Sequence, residues 1–79
     1  MTDAREPTFG ESRVGVSFNP SAKPEVDEIK KTAAALMDSL KAFQDGTTDP
    51  EAKRCLALAM TELETAAMYG VKAVTKPGF

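Results

Sequence analysis

The 79-residue chain has no histidine, no tryptophan and a single cysteine, Cys55. Each shortage removes a class of chemistry. Without histidine there is no side chain that ordinarily titrates near neutral pH, and no imidazole to activate a nucleophile. One cysteine forbids an intrachain disulfide, and with no histidine to join it argues against a zinc site. Cys55, beside Arg54, is read as a small buried hydrophobe. The glycines are scattered singly, so there is no phosphate-cradling loop. The acidic pairs Asp27/Glu28 and Glu62/Glu64 are read as a dipole complement and a solvated face, not as general acid–base pairs. The expectation is a protein that is not an enzyme and carries no metal and no cofactor. No 18-residue apolar run and no leader pattern opens the chain, so a soluble cytosolic protein without a membrane partner is expected. The formal charge of -2 argues against polymeric nucleic acid as a partner. A small anionic ligand stays open, because a few local lysines suffice for it.

What the chain does contain is helix. Asp49-Pro50 is an N-cap type followed by proline at the first helical position, and Lys76-Pro77-Gly78 forbids continuation. The stretch between, about 49–75, carries Leu56, Ala59, Leu63, Ala66, Gly70 and Ala73 at alternating spacings of three and four. A second apolar row, Leu58, Met68, Tyr69 and Val71, lies off that stripe. Upstream, Pro24 should open a helix over about 24–44. Glu25, Asp27 and Glu28 suit its positive end, and Val26, Ile29, Ala33, Leu36, Leu40 and Phe43 form its stripe. Asp45-Gly46-Thr47-Thr48 is the turn. The fold class is therefore all-α, a two-helix antiparallel hairpin over residues 13–79. Val14, Val16 and Phe18 alternate at period two, which predicts an extended segment lying across the helices. Residues 1–12 read as a flexible polar arm.

A lone hairpin would leave Met37, Leu58, Met60, Met68, Tyr69 and Val71 partly in water, so a homo-oligomer joined through the second helix is expected. Gly70→Leu should disrupt that assembly. Two features suit an anionic ligand. Phe18-Asn19-Pro20-Ser21 precedes a helix bearing Lys30: a ring to stack on a base, polar groups for its edges, a cation for phosphate. Lys72, Thr75 and Lys76 close the second helix, where copies of Lys72 around a symmetry axis could converge on an anion. On residue physics alone these groups read rather as a core plug, a turn, a solvated lysine and a helix-end dipole complement.

The run from Phe18-Asn19-Pro20-Ser21 through Val26, Ile29-Lys30 and Ala35-Leu36, then Leu56-Ala57-Leu58-Ala59-Met60-Thr61, Ala66-Ala67-Met68, Val71-Lys72-Ala73-Val74 and Lys76-Pro77, resembles the helical-hairpin sponge proteins of bacteriophages. These are the anti-CBASS cyclic-oligonucleotide sponges and their anti-Thoeris relatives, and the resemblance spans about residues 13–77. It implies a compact homo-oligomer, a hexamer, in the cytoplasm of an infected bacterium. Such a protein sequesters cyclic nucleotide second messengers without cleaving them. It implies a dinucleotide pocket in which Phe18, where tyrosine is usual, stacks on a base, Lys30 meets phosphate, and Thr32 assists. It further implies a trinucleotide site in which Lys72 stands where arginine is common. Cyclic ADP-ribose isomers are the ligand of the anti-Thoeris type. The rival from another class is a helical adaptor, an antitoxin-like module or a phage structural subunit, whose apolar second helix docks a protein partner. An enzyme degrading the same signals has no catalyst in this sequence.

Overall fold

A computed structural model of the chain describes residues 5–79. Three helices follow in order: α1 (Phe9–Val14), α2 (Pro24–Gly46) and α3 (Pro50–Val74). Among the described residues there is no strand. The two long helices begin where their punctuation places them. Pro24 opens α2, and Pro50 opens α3 behind Asp49, whose Oδ2 accepts from the Ala52 N–H at 2.8 Å. At 1.5 Å per residue they are rods of about 35 and 38 Å.

Their antiparallel pairing is visible in what meets at each end. Beside the connecting turn, Gln44 Nε2 donates to the Lys53 carbonyl at 3.1 Å and Lys53 Nζ donates to the Gln44 carbonyl at 3.0 Å. At the other end Lys23 Nζ donates to the Val74 carbonyl at 2.8 Å, a cation on the negative end of α3. About one turn of α3 in from that end, a Cβ on Gly70 would lie 3.4 Å from Ile29. The close approach expected of Gly70 therefore serves the hairpin of one chain, and Gly70→Leu would strike that hairpin first.

The segment before α2 departs from the extended strip and polar arm expected of it. Residues 9–14 are helical, and α1 is begun by a capping box: Thr8 Oγ1 accepts from the Glu11 N–H at 3.1 Å while Glu11 Oε1 accepts from the Thr8 N–H at 2.9 Å. Arg5 adds two hydrogen bonds to the Glu11 carboxylate, 2.9 and 3.2 Å. That contact, and next the Thr8 N–H, hold the Glu11 carboxyl below its ordinary pKa. Gly15, at φ 65°, then ends the helix in the left-handed region. Of the predicted arm, residues 1–4 lie outside the described residues.

α1 docks on α2 through a glycine. The buried Gly10 donates its N–H to Asp38 Oδ1 at 2.7 Å, and a Cβ there would fall 2.2 Å from the Ala34 carbonyl oxygen. This third helix moves the core. Met37 and Met60, expected partly in water, are buried, and so is Ala34. On α3 the buried row is Met60, Ala67 and Val74, every seventh residue, with Leu56, Ala59, Leu63 and Gly70 half-buried beside it. Ala66 and Ala73 from the expected stripe are exposed, as is Cys55, which was expected inside. The stripe is displaced because α3 meets α2 and the N-terminal segment together. The whole is a layer 45 × 33 × 12 Å, one helix thick. Leu36, Leu58, Met68 and Tyr69 remain exposed on it.

Candidate functional site

Where α1 lies against the middle of the hairpin, a groove of about 510 Å³ is left between α1, α2 and α3. Arg13 comes from α1, Phe18 from the segment after it, Lys30 from α2, and Glu64, Thr65 and Met68 from α3. Two of these were named from sequence, Phe18 and Lys30, and the fold does bring them together. Lys30 is 9 % exposed, not a solvated lysine. Its Nζ donates to the Gly15 carbonyl at 3.0 Å and to the Phe18 carbonyl, and it lies 5.3 Å from the centre of the Phe18 ring. It thus fastens the turn that follows α1 onto α2. The Phe18 ring itself is 69 % exposed, so it is no core plug.

The other expected residues fall elsewhere. Asn19 and Ser21 build the turn before α2: Asn19 Nδ2 donates to the Lys23 carbonyl at 2.9 Å and to Asp27 Oδ1 at 3.1 Å, while Ser21 Oγ donates to Asn19 Oδ1 at 2.8 Å. They set the direction in which α2 leaves the turn and do not line the groove. Thr32 is exposed in a second, shallower groove of about 360 Å³, beside Leu36 and Ala66. Lys72 and Lys76 are exposed at the end of α3, and Thr75 Oγ1 donates back to the Val71 carbonyl at 2.8 Å. Those three share one turn and are separate from the Phe18 groove.

The sequence reading missed Arg13, Glu64 and Thr65 as groove residues. Arg13 Nε and Nη2 both donate to Glu64 Oε1, at 3.0 and 2.7 Å, across 51 positions of chain. The Phe9 ring stacks on the guanidinium at 5.4 Å. A signal existed on α3, because Glu64, Ala67, Met68 and Val71 share one face, but Met68 and Val71 were read as part of an outer apolar row and Glu64 as a solvated face. Among the described residues no cluster of His, Cys, Asp and Glu is placed to hold a metal ion. No helix of the described residues is long and apolar enough to cross a membrane.

A family model described as Acb2/Tad1, hairpin domain, matches residues 11–75. The chain belongs to this family. Acb2/Tad1 proteins are the anti-CBASS and anti-Thoeris sponges, a family of binding domains. The matched span holds α2, α3, the turn before them and the last residues of α1. Arg5, Thr8 and Gly10, which cap and dock α1, precede it. No curated protein and no solved structure matches the chain.

Proposed function

We propose that this Acb2/Tad1 hairpin protein binds cyclic nucleotide second messengers of bacterial antiphage signalling and holds them intact, in the cytoplasm of the infected host. The observation that carries the reading is the exposed Phe18 ring at the mouth of a groove that also contains Arg13, Lys30 and Thr65. A base stacks on the ring, the apolar walls of Val14, Met68 and Val71 cover its edge, and the cationic side of the groove meets a phosphodiester. Cyclic dinucleotides are the first ligand class, with Lys30 and Phe18 as its principal residues and Asn19, Ser21 and Thr32 outside the groove of a single chain. Cyclic ADP-ribose isomers are the alternative within the same groove. A second class of site, for cyclic trinucleotides, is assigned to Lys72, Thr75 and Lys76 where copies of α3 converge.

The assembly is part of the proposal. A layer 12 Å thick cannot cover Leu36, Leu58, Met68 and Tyr69 by itself. Burying each large apolar side chain is worth about 1.5–3 kcal/mol, which favours a homo-oligomer, here a hexamer. Native mass spectrometry with cyclic dinucleotides, cyclic trinucleotides and cyclic ADP-ribose isomers tests both parts. Hexamer-sized species that gain intact ligand masses support the reading. Binding should weaken roughly tenfold or more in Phe18→Ala, the value of one base–aromatic stack. A monomer that takes up none of these ligands sinks the sponge reading and leaves the exposed α3 face as a protein-docking surface.

A further inference from the structure

The groove contains two cations, and their partners differ in kind. Lys30 is buried and engaged by two main-chain carbonyls, those of Gly15, which also accepts from the Phe18 N–H at 2.9 Å, and of Phe18. Its hydrogen bonds hold the chain that carries Phe18. Arg13 is engaged by a side chain at the groove wall, and that pair is open to solvent, with side-chain exposures of 31 % for Arg13 and 45 % for Glu64. Both of its donating nitrogens converge on the same atom, Glu64 Oε1. That is the edge of the guanidinium that otherwise pairs with two phosphate oxygens. Exchanging one exposed anion for another requires no unpairing of buried groups, whereas releasing Lys30 would take the charged donor from the Phe18 carbonyl and the cation from the ring.

We propose that Arg13 is the exchangeable phosphate-binding cation of the groove, and that Glu64 occupies its guanidinium until a phosphodiester displaces it. This assignment rests on the cyclic nucleotide reading above. Glu64 then acts as a competitor built into the site. It lowers affinity for every anion, and it selects ligands whose phosphate reaches Arg13 while a base lies on Phe18. Lys30 is the positioning residue that keeps the ring in place, and Thr65, one residue from Glu64, lies on the same wall with its Oγ1 donating to the Thr61 carbonyl at 3.1 Å. The guanidinium stays seated during the exchange because Phe9 stacks on it from α1.

The sign of one substitution separates this arrangement from a purely structural ion pair. In Glu64→Gln the amide keeps a carbonyl oxygen to accept from Arg13, so α1 remains docked, but the competing charge is gone. Titration calorimetry with cyclic di-AMP should then show roughly threefold to tenfold tighter binding than the unaltered protein, with Arg13→Gln weaker by a similar factor and the Glu64→Gln gain abolished in the double variant. Arg13→Lys, a point charge without the fork, should fall between. Weaker or unchanged binding in Glu64→Gln, with far-ultraviolet circular dichroism unaltered, overturns the assignment while leaving the sponge reading intact. If the unaltered protein binds neither cyclic di-AMP nor the other cyclic nucleotides, the sponge reading itself fails and the assignment falls with it.

Discussion

The groove under α1 and the last turn of α3 each present a lysine that the sequence offers to a phosphate, and the two are physically opposite. Lys30 is shut between main-chain carbonyls and a ring. Lys72 stands in water at the end of its helix with no side-chain bond to the rest of the described chain. The difference lies in what surrounds each lysine. α1 and its left-handed Gly15 deliver carbonyls above Lys30, whereas nothing among the described residues bonds over Lys72. A lysine crossed by another segment becomes a fastening, and one left bare keeps its charge for something outside the chain.

The sharpest way to break the contrast is to remove each lysine in turn. Lys30→Met should cost about 2 kcal/mol in denaturant unfolding, because two carbonyls lose a charged donor. It should also loosen the Phe18 turn, visible as shifted amide resonances from Gly15 to Asn19. If stability and those resonances are unchanged, Lys30 is not a fastening. Acid should act more gently, at α1 and at the first turn of α3, where Arg54 holds the Glu51 carboxyl below its ordinary value. The Glu11 carboxyl is held below its ordinary value by Arg5 and the Thr8 N–H, so its contribution is complete above the ordinary carboxylate pKa and is lost as pH falls through the lowered one. The Gly10 amide resonance should report α1 loosening in that acid window while the central turns of α2 and α3 hold; simultaneous loss of all three helices would show that α1 is not a separate unit. Lys72→Ala sits at the small end, within about 0.5 kcal/mol of the unaltered protein. Its effect should appear only as weaker cyclic trinucleotide uptake with dinucleotide uptake spared. Equal loss of both would remove the second site.

The long helices were legible because their boundaries are written in local chemistry: proline at each start, Asp49 as a cap, Lys76-Pro77 as a stop. α1 was harder to see, being six residues with a glycine inside and no apolar period. Its signal was Thr8 with Glu11 three residues on, which the alternation of Val14, Val16 and Phe18 overshadowed. Missing α1 carried the other errors with it. Met37 looked like a surplus apolar residue because α1, which packs on that part of α2, was absent from the reading. The site was legible by residue type and only partly by place. Phe18 and Lys30 do meet, but no pattern along the chain announces that Arg13 finds Glu64 across 51 positions.

A layer one helix thick also changes what amide hydrogen exchange reports. In a rounded domain, slow exchange marks depth, because the innermost amides open only when everything around them does. Here nearly every amide lies within a helix radius of one broad face, so depth hardly varies along α2 or α3. Protection must then follow which face is covered and by what. A comparison of exchange at high and low protein concentration would therefore trace the contact between copies directly, residue by residue, and the same comparison with ligand would trace the groove.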